Sequence, residues 1–138
     1  MANALYSKAK EQFLGGNLNL SANTVKIVLV DSEEYTFSAA HTGLDDIPGG
    51  GRISTATLSG KAITNGIFDA TDAVFSNVTG DQSEALVIYH ELTVGGTVDA
   101  NNSTLIAYID TATGLPITPS GGDITVAFSD GANKIFAL

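Results

Sequence analysis

Apolar residues recur along this chain with two different periods. In residues 2–14, ANALYSKAKEQFL, Leu5, Tyr6, Ala9 and Phe13 fall at helical spacing, and Gly15-Gly16 follows as a stop at which a left-handed residue costs little. The spacing predicts a short amphipathic helix whose stripe packs on its own sheet or on a neighbouring subunit; burial alone favours its own sheet. From residue 24 onward the period changes to two. TVKIVLVD (24–31) places Val25, Ile27 and Leu29 on one face and Val28 and Val30 on the other, which predicts a central strand buried on both sides. A short strand is expected at 33–38, and a long loop with at most one helical turn at 39–51, ended by Pro48 and three glycines.

Strand patterns continue through 52–60 and 61–64. Asn65-Gly66 follows, a pair suited to a type I′ turn because both central positions need positive φ. Further strands are expected at 67–70, 72–78 and 84–92, the last with Ala85, Val87 and Tyr89 opposed by Leu86 and Ile88. Residues 93–103 suit an exposed loop, and strands at 104–110, 123–131 and 133–138 complete the set, the last two joined across Asp130-Gly131. Short strands with turn signals every 8 to 12 residues predict a mainly β fold, an antiparallel β-sandwich or barrel with a short N-terminal α-helix. The chain fits one domain, 1–138, with an N-terminal helix or arm at 1–16 and a β domain at 24–138.

The segment AYIDTATGLPITPSGGDITVAF (107–128) carries two alternating apolar runs around a Gly, Pro and Asp-rich connection. Thr113-Gly114 allows a turn, and Pro116 and Pro119 hold the chain extended and remove two donors that could recruit a stray strand. Asp110 and Asp123 bracket a structured corner between core strands, and Leu115 and Ile117 become candidates for contact with a neighbouring chain.

Charge narrows the possible partners. Six Lys and Arg against fifteen Asp and Glu give a net charge of −9, which disfavours nucleic acid, because grip on phosphates comes from clustered cations. There is no cysteine, so disulfides, thiolate zinc sites and cysteine nucleophiles are excluded. No apolar h-region or 18-residue apolar run occurs, and the expectation is a soluble protein made in a cytoplasm, without a membrane partner.

Candidate chemistry is sparse. The two histidines, His41 and His90, lack metal-ligand spacing, and no cofactor or metal site is expected. Asp69 with Asp72, or Asp110 with Asp123, could supply a few oxygens to calcium, but nothing matches a calcium-loop order. Their Gly, Thr and Asn neighbours favour turn and cap hydrogen bonds. IPGGGR (47–52) and LSGKAIT (58–64) fail the phosphate-loop pattern, and no G-x-S-x-G occurs, so catalytic residues are none and the chain is not expected to be an enzyme. The sequons at Asn77 and at Asn101 to Thr104 carry no meaning in a protein that is not secreted. A carbohydrate-binding β-sandwich would need aromatic platforms; there is no Trp, and Tyr35, Phe37, Tyr89 and Tyr108 are weak candidates.

The order MANALYSKAKEQFLGG, TVKIVLVD, LSGKAITNGIFDATDAVF, EALVIYHE, LIAYIDTATGLPITPSGGDITVAF and GANKIF resembles a family of small structural proteins of tailed bacteriophages and prophages. The likeness runs over essentially the whole chain and is most specific in LIAYIDTATGLP, GGDI and ANKIF. It implies a virion protein, made in the bacterial host cytoplasm, and carries over no catalytic residue. The expected role is a capsid decoration, or cement, protein that binds the major capsid protein lattice as a homo-oligomer, a trimer being favoured, with other virion proteins as further partners. A tail or neck ring component is the alternative, and the carbohydrate-binding sandwich the second. The expected contact residues are Leu5, Tyr6 and Phe13 on the helix, with Leu115 and Ile117 at the corner. The loops 39–51 and 93–103 join them, with backbone groups free to pair.

Overall fold

A computed structural model describes residues 3–111, 114–128 and 134–137. The fold is mainly β, with antiparallel sheets and one helix near the N-terminus. Its strands are β1 (Ala4–Leu5), β2 (Val25–Val30), β3 (Arg52–Thr57), β4 (Ala62–Thr64), β5 (Ile67–Asp69), β6 (Ala73–Phe75), β7 (Ala85–His90), β8 (Thr93–Val94), β9 (Thr97–Val98), β10 (Leu105–Ile109), β11 (Ile124–Val126) and β12 (Phe136–Ala137). The helix α1 spans Ser7–Leu14.

A five-stranded sheet in the order β1-β10-β7-β2-β3 organises the molecule. As the apolar run of β2, interrupted only at Lys26, predicts, this strand lies between β7 and β3 and is buried on both faces. Val25, Ile27, Leu29, Leu86 and Ile88 point to one face; Val28, Val30, Ala85, Val87 and Tyr89 point to the other. A register shift between Leu105 and Ala107 turns both Ile106 and Ala107 toward the first face, while Leu105 and Tyr108 serve the second.

Short strands cover the first face. Phe68 and Ala70 come from β5 and just beyond it, Ala73 and Phe75 from β6, and Ala9 from α1. The sheets β12-β5-β4 and β11-β6 supply this layer. The β4–β5 hairpin turns at Asn65-Gly66 with φ of 54° and 77°, the paired positive φ expected there. The second face is covered by irregular chain instead. Tyr35, Leu44 and Ile47 from the segment after β2 bury themselves against Val28, Val30 and Val87, together with Tyr6.

Several expectations are corrected. The helix does not begin at residue 2: Ala4 and Leu5 pair with Tyr108 and Ala107, and the Tyr6 N–H donates to the Ile106 carbonyl at 3.0 Å. Leu5 packs toward the first face and Tyr6 toward the second, as in a strand, because pairing with β10 outweighs a helical pattern at this edge. Residues 33–38 form turns and irregular chain, and 39–51 holds two 3₁₀ turns, Leu44–Asp46 and Gly49–Gly51. The exposed loop 93–103 contains the β8–β9 hairpin, folded at Gly95-Gly96. Asp130-Gly131 lies outside the described residues, and the strands on either side of it do not pair together: β11 joins β6, and β12 joins β5. The corner from 107 to 128 therefore links strands of two different sheets.

Candidate interaction surface

The two long loops use their backbone groups on each other. Leu44 and Asp45 donate to the carbonyls of Ser103 and Ala100 at 2.9 and 3.2 Å, and Leu105 donates to Thr42 at 3.0 Å. The approach is so close that a Cβ added to Gly43 would stand 2.5 Å from the Asn101 carbonyl oxygen. These loops, expected to offer free backbone, are a closed seam. Arg52 strengthens it from β3, donating to the Ile47 carbonyl at 2.8 Å and the Leu44 carbonyl at 3.0 Å.

Beneath that seam lies an aromatic cluster. Tyr6 Oη is 2.9 Å from Tyr35 Oη, which is 2.8 Å from His41 Nδ1. The Phe37 ring sits 5.1 Å from Tyr6 and 4.9 Å from Tyr108, centroid to centroid. Burial pushes the phenols of Tyr6, Tyr35 and Tyr108 up from their usual range, and that of Tyr89 up to about 12. These hydroxyls therefore stay neutral, and those of Tyr6 and Tyr35 serve as structural hydrogen-bonding groups. Tyr35, Tyr89 and Tyr108 are buried and Phe37 half-buried, so the four aromatic residues weighed as a sugar platform belong to the core. His90, half-buried at the end of β7, is held below the usual imidazole range by burial and then by Lys61. The two histidines serve different surroundings and share no partner.

Asp31 and Asp46 cap local turns as expected, accepting from the Glu33 N–H at 2.9 Å and from Thr42 and Gly43 at 2.8 and 3.2 Å. The Thr42 and Gly43 donors draw the Asp46 carboxyl below its usual range. Asp123 and Asp72 instead tie distant segments together, accepting from the Asn77 N–H at 3.0 Å and the Phe128 N–H at 2.9 Å. Among the described residues no group of three or more acidic, His or Cys side chains is placed to hold a metal ion, and no helix is long and apolar enough to cross a membrane.

Apolar surface is open at Val94 and Val98 on the β8–β9 hairpin and in two grooves beside the covering layer of short strands. One groove, of about 360 Å³, lies between the last turn of α1, the chain at 16–20 and the β4–β5 hairpin, with Phe13, Leu18, Leu20, Ile63, Phe68 and Phe136 among its walls. Phe136 packs there between Phe13 and Phe68 with tilted rings, at centroid distances of 6.4 and 5.3 Å. A second groove, of about 710 Å³, runs under the corner and is lined by Ile109, Leu115, Ile117, Ile124, Val126 and Phe128. Ile117 is tied to Ser83 by a pair of backbone hydrogen bonds, 2.8 and 2.9 Å long.

The expected contact residues thus divide. Phe13 borders the first groove, and Leu115 and Ile117 border the second, all three half-buried. Leu5 is half-buried against the core, and Tyr6, with no exposed surface, is wholly committed to the protein's own interior and is withdrawn as a contact. Sequence reasoning missed Ile63 (52% exposed) and Leu14 (91% exposed), although Leu14 falls outside the stripe of Leu5, Tyr6, Ala9 and Phe13 and so carried a signal of exposure. Compared with family models and with curated proteins, the chain matches none.

Proposed function

We propose that this protein is a structural subunit of a tailed bacteriophage particle and that it decorates the capsid, binding the major capsid protein lattice as an oligomer. One observation carries the geometric side of this reading: the described surface holds two largely apolar grooves edged by Phe13, Leu115 and Ile117, beside a doubly covered sheet. Such grooves suit protein partners, whose buried interface cores are depleted in charge. The sequence resemblance to phage structural proteins points the same way. His41 is engaged by Tyr35, and five aspartates are engaged by turn and loop amides, so these groups act in holding the fold.

Electron microscopy of intact particles carrying a labelled copy of this chain tests the proposal. Many copies distributed over the head are expected. Rings stacked below the head would assign the protein to the tail or neck, and particles without label would overturn the virion reading altogether.

A further inference from the structure

The groove under the corner is bounded by a strand edge. Its wall takes in five consecutive residues, 124–128, whereas the face of a strand would contribute only alternate ones. Backbone direction agrees with this. The Phe128 N–H donates to Asp72, beside β6, at 2.9 Å, so the period of two turns the N–H and C=O groups of Thr125 and Ala127 away from β6. Among the described strands β11 pairs with β6 alone, which leaves that second edge open. Leu86, a core side chain of β7, and Ile109 of β10 line the groove as well. The groove is thus an apolar slot along an open strand edge. The β8–β9 hairpin is its converse: residues 93–98 are all exposed, β8 and β9 pair only with each other, and Val94 and Val98 stand 62% and 42% exposed. No charge or proline lies within 93–98 to blunt its edges, the usual protection of such strands.

We propose that the β8–β9 hairpin of one copy lies in the slot of a second, one of its strands adding to β11 through the backbone groups of Thr125 and Ala127. The open edge fixes the chemistry of the occupant: its N–H and C=O groups recognise an extended backbone, and the apolar lining takes alternate side chains. Val94 lies opposite Thr97 and Val98 opposite Thr93, so each face of the hairpin presents one valine to the slot. Charge selects this hairpin among the segments of a chain of net −9. Lys134 is the one charged residue described on the slot wall, and Asp110 and Asp123 adjoin the wall residues Ile109 and Ile124, so an acidic strand is repelled and an uncharged one admitted. The carboxylates that flank the hairpin are engaged within their own copy, Glu91 by Lys26 at 3.4 Å and Asp99 by the Asn102 side chain at 2.9 Å. The donor belongs to a second copy, because the hairpin leaves the end of β7 opposite to Leu86 and none of its residues lines the slot of its own copy. Donor and acceptor surfaces therefore differ, so the contact is heterologous and repeats around a closed ring or along an open chain. This deepens the reading of the chain as an assembling subunit and rests on it.

The experiment is light scattering on the purified full chain at millimolar and micromolar concentration. Val94→Thr/Val98→Thr alters the hairpin while keeping charge and strand propensity. Thr125→Pro removes an N–H that faces the slot and leaves the bonds to β6 in place. Ile63→Thr, at a 52% exposed position on β4, is the control. Circular dichroism checks the fold of each; should Thr125→Pro disturb it, Ala127→Lys, exposed beside the same edge, takes its place. Wild type and Ile63→Thr are expected to scatter as oligomers at high concentration, while the hairpin variant and the slot variant each need about tenfold more protein to associate. At a concentration where each of those two is monomeric alone, their equimolar mixture is expected to give dimers and nothing larger, because one intact hairpin then meets one intact slot. A monomeric wild type, an unaffected hairpin or slot variant, equal loss in the control, or a mixture that stays monomeric would each overturn the proposal. Association is read in solution without particles, so its failure is separable from failure of the virion assignment: particles carrying a protein that is monomeric in solution would sink this inference alone.

Discussion

The two faces of the central sheet are buried by different means. On one face, short strands and a helix bring Phe68, Ala73, Phe75 and Ala9 against aliphatic side chains of β2 and β7. On the other, irregular chain does the same work, held by hydrogen bonds from Arg52, by the Gly43 approach and by the linked hydroxyls of Tyr6 and Tyr35. The first cover is made of strands two or three residues long, and the open grooves lie along it. The second cover closes on itself. Regular strands are thus no guarantee of a sealed layer: a loop with its backbone groups paired seals better than short strands with gaps between their sheets.

The strongest challenge to this contrast is Phe75→Ala. Phe75 is fully buried in the strand-made cover, and its truncation should cost about 3–5 kcal/mol, read as a shift of the denaturation midpoint. Gly43→Ala tests the loop-made cover at its tightest point, where the new methyl would collide with backbone carbonyls of the 93–103 loop; a loss of about 1–3 kcal/mol is expected. If that variant were as stable as wild type, the seam would be loosely draped chain. Arg52→Ala removes two donors to carbonyls of the 39–51 loop and should cost about 1–2 kcal/mol, with faster amide exchange at Leu44 and Ile47 while β7 amides stay protected. Tyr6→Phe deletes one hydroxyl while Tyr35 keeps its contact with His41, and about 1 kcal/mol is expected.

The smallest effects come from titration. His90 has a folded pKa below the ordinary 6.5, so the unfolded chain binds its proton more readily, and stability declines as pH falls below that value until the folded form is protonated as well. Asp46, also depressed, contributes stability that is present above its ordinary 3.8 and lost as pH falls through its folded value. Thermal melts from pH 8 to pH 3 should show a shallow decline beginning near pH 6.5, which His90→Gln removes, and a further decline below pH 4, which Asp46→Asn removes. A melting temperature that rose on acidification would contradict both.

Much of the strand-covered face was legible in the chain. The runs around β2, β7 and β10 carry their own period and bulk, and Asn65-Gly66 carries its turn, because these signals are local. Less could be read of the loop-covered face. Nothing local in residues 39–51 or 93–103 states that they pair together, and Tyr6 sits in a pattern that satisfies a helix as well as a strand edge. The candidate surface was half visible: Phe13, Leu115 and Ile117 were named from the sequence, whereas their separation into two grooves depends on β12 joining β5 and β11 joining β6.

By itself, then, the sequence determined a mainly β, antiparallel fold with a helix near its start, a chain poor in positive charge and free of cysteine chemistry, and aspartates suited to turns. Tertiary structure alone decided which strands are neighbours, that Tyr6 is wholly core, and where apolar side chains remain uncovered. The physical reason is the range of the interactions. Turn and strand preferences are set within a few residues, while exposure is settled by partners from distant parts of the chain, such as Ile106 and Ala107 for the segment at 4–6.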